Sequence, residues 1–281
     1  RLLPVAVAAA QELAHQAPQG LNSRTVVIGY DRRFLAPELA EVVAAAVRGC
    51  GLEPLLTDTA VPTPACSWAV VERQSLGALV ITASHNPPEW LGLKIKGPFG
   101  GSVEDPFTAA VERRLAAGGI TVPVAGSSER FDGRGEHLAG LRTKFDLQAL
   151  TVGLRTMGLH VFVDPMHGSA AGCVSDLLGD NAKDLITEIR TNRDPLFGGC
   201  APEPLAPHLG ELMAAVKASK AEGRHAVGLV FDGDGDRIAA VDENGRFCST
   251  QQLMPLLIDH LARAKNLPGS VVKTVSGSDL M

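Results

Sequence analysis

The sequence predicts an α/β protein, because short apolar runs alternate with helical segments of about 9–17 residues along most of its length. Two chemistry-bearing loops reinforce the class. Each directly follows an apolar run, the place where open α/β sheets keep their ligands. The 281 residues suffice for about two domains, and 45% hydrophobic against 20% charged residues is the balance of a chain that buries sizeable cores.

The elements follow in order. Arg1-Leu2-Leu3-Pro4-Val5-Ala6-Val7-Ala8-Ala9-Ala10 looks like the apolar part of a signal peptide, but it runs unbroken into Gln11-Glu12-Leu13-Ala14-His15 and reads as a helix from near Pro4. Strands are expected at 25–29, 53–56 and 78–82, and helices at 37–48, 64–72 and 103–117. The Gly/Ser/Pro-containing stretch 118–135 breaks the rhythm and is read as a domain boundary. A second cycle is expected as helix 136–152, strand 159–163, helix 168–178, strand 185–189, helix 206–222 and strand 226–231. Runs at 238–241 and 246–248 flank Asp242-Glu243-Asn244-Gly245, a hairpin signal. Helix 251–264 and strand 271–274 open a third cycle, and Ser276-Gly277-Ser278-Asp279 resembles a helix start. The chain therefore reads as a truncated piece of a longer protein.

Composition excludes several classes. The net charge of −5 gives no basic field for nucleic acid, and aromatics at 4% give no base-stacking stripe. No apolar run approaches the roughly 20 residues that cross a bilayer. Cys50, Cys66, Cys173, Cys200 and Cys248 are odd in number, widely spread and without a CxxC pair, so thiols of a reducing cytosol are expected rather than disulfides or a zinc site. His15, His137, His160, His167, His225 and His260 show no metal-ligand spacing.

In the first loop, Thr82-Ala83-Ser84-His85-Asn86-Pro87 places a serine hydroxyl just past an apolar strand, and Lys94 follows Gly92 closely enough to fold back toward it. No G-x-S-x-G elbow surrounds Ser84, which argues against a serine hydrolase. The second loop, Asp232-Gly233-Asp234-Gly235-Asp236-Arg237, spaces three carboxylates by glycines. Such acids repel unless a cation or protonation relieves them, and oxygen ligands favour Mg²⁺ or Ca²⁺. Counting from Asp232, an EF-hand would put glycine where Arg237 stands, and strands rather than helices flank this loop.

Together these residues resemble the α-D-phosphohexomutase family, the phosphoglucomutases and phosphomannomutases. Thr82 to Pro87 resembles its phosphoserine loop, Gly92-Leu93-Lys94 its following lysine and Asp232 to Arg237 its metal loop. Lesser signatures are Gly29-Tyr30-Asp31-Arg32-Arg33, Pro62-Thr63-Pro64, Val163-Asp164-Pro165-Met166-His167-Gly168 and Phe197-Gly198-Gly199-Cys200-Ala201-Pro202-Glu203-Pro204. His208 and Trp90-Leu91 depart from the usual pattern.

The resemblance implies tandem related α/β domains, with mixed sheets between helices. Residues 1–130 would be domain I without its N-terminal Gly-Thr-x-Gly-x-Arg segment, 136–248 domain II, and 249–281 the start of domain III. It implies reversible phosphoryl transfer between C1 and C6 of a hexose phosphate, with glucose, mannose or both ahead of glucosamine, and a hexose 1,6-bisphosphate as intermediate and activator. Phosphorylated Ser84 would carry the group and join Asp232, Asp234 and Asp236 around Mg²⁺. Lys94 would move protons and His85 would assist. Arg237 and Arg33 would meet substrate phosphate, and the site would be cytoplasmic. A metal-dependent phosphatase, a non-catalytic Ca²⁺-binding module and a degenerate regulatory relative remain alternatives, and oligomeric state is open.

Overall fold

The computed structural model describes residues 2–118, 123–275 and 277–279. The first sheet forms around three parallel strands: β1 (Thr25–Tyr30), β2 (Glu53–Thr57) and β3 (Gly77–Ile81). A short β4 (Leu93–Lys96) runs antiparallel beside β3, and β5 (Glu129–Phe131) runs parallel beside β2, giving the order β4-β3-β1-β2-β5. Alternation along the strands sorts the core into two layers. Val26, Ile28, Leu79 and Ile81 pack on helices α1 (Leu2–His15), α2 (Ala36–Gly49) and α4 (Asp105–Ala117). Val27, Ala78 and Val80 face α3 (Thr63–Glu72) on the other side. Both faces are covered, which is why these strands are continuous apolar runs.

The second sheet repeats the plan. It is built on β6 (Leu159–Asp164), β7 (Ile186–Glu188) and β8 (His225–Phe231), with the hairpin β9 (Ile238–Val241) and β10 (Phe247–Cys248) at one edge, in the order β10-β9-β8-β6-β7. Helix α8 (Gly210–Ala221) covers Ala226 and Val230 on one face. Helices α5 (Gly133–Lys144), α6 (Leu147–Thr156) and α7 (Cys173–Leu178) complete the unit, Leu154, Val174 and Leu178 packing with Val161 and Val163. The expected tandem α/β units with mixed sheets are thus the observed architecture. In each sheet the strand order reverses beside its first strand, between β1 and β3 and between β6 and β8. The carboxyl ends at those two reversals carry Ser84 and Asp232.

Several elements differ from expectation. The single helix at 136–152 is two helices, because Phe145 is extended and Asp146 starts a new one by accepting from Ala149 N at 2.8 Å. The helix expected from residue 168 begins only at Cys173, since Met166, His167 and Gly172 take left-handed backbone conformations. The helix expected from 206 opens as a single 3-10 turn before α8. Strands β4 and β5 were not expected, and β5 lies inside the stretch read as a boundary, part of which (119–122) is outside the described residues. Helix α9 (Thr250–Asp259) continues as a π-helical turn, His260–Ala264. Residues 271–274 form no strand, against expectation, and Ser276 is outside the described residues. Among the described residues, no helix is long and apolar enough to cross a membrane.

Candidate active site

Ser84 occupies the turn that leaves β3. Its backbone is left-handed (φ 53°), a conformation that non-glycine residues adopt at a cost. The turn is fastened locally: Ser84 N donates to Thr82 Oγ1 at 2.8 Å, and Thr82 Oγ1 donates to Asp31 Oδ2 at 2.7 Å, joining the ends of β3 and β1. The strained backbone turns the Ser84 side chain toward the second sheet, where its Oγ donates to Asp232 Oδ2 at 2.9 Å across 148 residues of sequence.

The acidic loop curls as its glycines allow. Asp232 Oδ1 accepts from the backbone N–H of Asp236 and Arg237, at 3.0 and 3.1 Å. Gly233 passes so close to Ser84 that a β-carbon there would lie 2.7 Å from the Ser84 carbonyl oxygen, and Gly235 is left-handed. Asp234 is tied to the first domain by Thr63, whose Oγ1 donates to Oδ2 at 2.5 Å and whose N–H donates to the Asp234 carbonyl at 2.8 Å. Lys94, on β4, donates to Asp234 Oδ2 at 2.7 Å and Asp236 Oδ2 at 2.6 Å.

The electrostatics follow from burial. Asp232 is pushed up to about 7 by desolvation and by the charges of Asp234 and Asp236. Desolvation also pushes at Asp234, but Lys94 and the hydroxyls of Thr63 and Ser84 override it and hold that carboxyl below its usual range. Burial alone would lower Lys94, yet Asp234 and Asp236 keep its ammonium above its ordinary range. The ammonium form of Lys94 is therefore the state this geometry favours.

The carboxylates of Asp232, Asp234 and Asp236 place one oxygen each within 4.8 Å of one another. Asp234 Oδ1 is buried and without a hydrogen-bond partner. A cluster of hard oxygen donors with one unspent buried oxygen suits a divalent cation.

The other expected residues are placed as follows. Arg237 lies at the exposed rim, its guanidinium 2.7 Å from His85 Nδ1, with no carboxylate at ion-pair distance among the described residues. Nε2 is 3.9 Å from Glu203, and Nδ1 is 3.5 Å from Ser84 Oγ. Ser84, Lys94, Trp90 and Arg237 line an open cleft of about 360 Å³.

Arg33 departs from expectation. It is fully buried and makes its contacts with the serine loop from beneath, so it is not available to phosphate in the cleft. Sequence reasoning also assigned no role to Thr63, Thr82, Asp31 or Glu203. The signal for Asp31 is an acid closing an apolar strand with arginine two residues on, and for Thr63 its place at the first turn of α3.

Comparison with known proteins decides the family. Residues 3–119 match the profile of phosphoglucomutase/phosphomannomutase alpha/beta/alpha domain I, and residues 136–245 match that of domain II. This chain belongs to the phosphoglucomutase/phosphomannomutase family. Its relatives include a phosphoglucosamine mutase of Cereibacter sphaeroides, 32% identical over 267 residues, covering 92% of this chain and 56% of that protein. A phosphoglucomutase/phosphomannomutase of Thermococcus kodakarensis is 28% identical over 266 residues, covering 94% and 56%. The crystal structure of a candidate phosphomannomutase from Thermus thermophilus superposes with a TM-score of 0.81 at 30% identity, covering 94% of this chain and 57% of that one. The chain thus spans about half the length of the relatives it matches.

Proposed function

We propose that this chain carries the phosphoryl-transfer half of a hexose-phosphate mutase, moving a phosphoryl group reversibly between C1 and C6 by way of Ser84. The observation that carries this reading is the 2.9 Å approach of Ser84 Oγ to Asp232 inside a three-carboxylate cluster, at the meeting of two sheet reversals. A serine so placed is positioned beside a site for positive charge, which is what phosphoryl transfer requires more than covalent assistance.

In the forward step the Oγ–P bond of phosphorylated Ser84 breaks as the free sugar hydroxyl oxygen bonds to phosphorus. The Ser84 oxygen keeps the bonding electron pair, and the hydroxyl proton reaches it by relay through Lys94. Lys94, held charged by Asp234 and Asp236, gives a proton to the oxygen losing the phosphoryl group and regains one from the oxygen receiving it. The bisphosphate then returns its other phosphate to Ser84 by the reverse chemistry. Arg237 and His85 steer phosphate from the rim. Mg²⁺ held by Asp232, Asp234 and Asp236 would neutralise charge on the transferring group. The sugar is glucose, mannose or glucosamine: relatives named for each reading support it, and the residues here do not choose among them.

The test is to incubate the 281-residue chain with Mg²⁺ and glucose 1,6-bisphosphate, map phosphate to Ser84, and chase with glucose, mannose and glucosamine 1-phosphates, with Ser84→Ala as control. Phosphate that appears on Ser84 and leaves onto one of the sugars supports the reading. Inorganic phosphate released without a lasting phosphoserine would favour a metal-dependent phosphatase. Cation binding with no response to any sugar phosphate would favour a binding module.

A further inference from the structure

The guanidinium of Arg33 is enclosed and fully committed. Its side chain is fully buried. Nε donates to Asp31 Oδ2 at 3.2 Å. One terminal nitrogen donates to the carbonyls of Pro87 and Trp90, at 2.7 and 3.1 Å, and the other to those of Ser84 and Asn86, at 2.9 and 2.7 Å. These contacts use all five N–H donors of the group. Four end on one loop, and that loop is the one holding the left-handed Ser84. The underside of the guanidinium is set by the second domain: its centre lies 5.0 Å from the ring of buried Phe197, and Arg193 donates to the Arg33 carbonyl at 3.1 Å.

We propose that Arg33 is a positioning residue: it gathers four carbonyls of the Ser84 loop into the geometry that aims Oγ at Asp232, and Phe197 seats it. Carbonyls that converge within one short loop repel unless donors of matching geometry lie beneath them, and a planar five-donor fork supplies these where a lysine cannot. The fork also reports across the domain seam, because the ring beneath it belongs to the second domain. This rests on the reading of Ser84 as phosphoryl carrier, although the loop geometry stands apart from it.

The test uses the 281-residue chain and its Arg33→Met, Arg33→Lys and Phe197→Leu variants. Two readouts are taken: the single-turnover rate of Ser84 phosphorylation across glucose 1,6-bisphosphate concentrations, and amide hydrogen exchange resolved to residues 84–92. Positioning predicts that Arg33→Met lowers the maximal rate at least ten-fold, with the half-saturating concentration within about two-fold of the parent. It also predicts exchange accelerated at least ten-fold in 84–92 and unchanged in β6 and β8. Arg33→Lys should not restore either property, and Phe197→Leu should show the same pattern more weakly. A raised half-saturating concentration with an unaltered maximal rate, largely restored by lysine, would make Arg33 a phosphate ligand and overturn the proposal. If the parent chain never phosphorylates, the mutase reading fails, and exchange in 84–92 alone decides: unchanged protection in Arg33→Met overturns positioning, local loss supports it. If Arg33→Met does not fold, Arg33→Lys and Phe197→Leu decide by the same two readouts.

Discussion

Asp31 and Asp164 stand at equivalent places, each a buried acid at the carboxyl end of the first strand of its sheet. Each accepts from the backbone N–H two residues on and pairs with an arginine, Arg33 in one case and Arg190 in the other. Asp31 also accepts from Thr82 Oγ1, and so fastens the end of β3 from which the Ser84 loop departs. Ser84 shows what that fixing sustains, for its positive φ persists against the preference of any residue with a β-carbon. Replacing Ser84 by Gly should therefore leave the chain about 1 kcal/mol more stable than replacing it by Ala, the reverse of the usual cost of glycine. Paired urea titrations of the two variants measure this, and equal midpoints would mean that the turn is unstrained. The serine and the acids were legible in the sequence because their signal is local, a hydroxyl or a glycine-spaced acid run directly after a buried strand. Arg33 was not, because a sequence displays a cation without displaying the carbonyls that will close over it.

Among the elements, the long buried strands declared themselves and the edges did not. β4 alternates lysines with apolar residues and β5 reads Glu129-Arg130-Phe131, so neither is a continuous apolar run. Their pairing is set by the strand each lies beside, Lys94 opposite Val80 and Arg130 opposite Leu56. The same holds for the helices that broke early: capping by Asp146 and the left-handed turns at 166–172 are choices made by packing around them. β3 carries the serine loop and is buried along its whole length. Leu79, fully buried at its centre, packs toward the α1, α2 and α4 layer. Leu79→Ala should cost about 2–5 kcal/mol, seen as a lower urea midpoint with an unchanged slope.

For the whole molecule, burying acids at the seam couples stability to pH and to cations. Asp31 is pushed up to about 6 by desolvation, against the opposing hydrogen bond of Thr82 and the N–H and charge of Arg33. Between about pH 4 and 6 the folded chain binds a proton that the unfolded chain has released, so stability falls as pH rises through that window and levels above it. Asp31→Asn should flatten that slope, which is worth up to roughly 3 kcal/mol, in urea titrations at pH 4.5 and 7 with a chelator present. The acidic cluster acts in the opposite sense toward cations. Millimolar Mg²⁺ should raise the unfolding temperature of the parent chain, and Asp234→Asn should lose most of that rise in the same calorimetric scan, because a ligand that favours the folded state stabilises it by mass action.

The distance of 148 residues between Ser84 and its partner Asp232 has a consequence for assembly. Ser84 and Lys94 belong to the first sheet and the three aspartates to the second, so the site exists only when the two units are docked. Being joined in one chain, each unit meets the other at an effective concentration of roughly millimolar, whatever the amount of protein in solution. Severed between the sheets, the same surfaces would have to find each other by diffusion, and the site would dissolve on dilution although every one of its residues was still present.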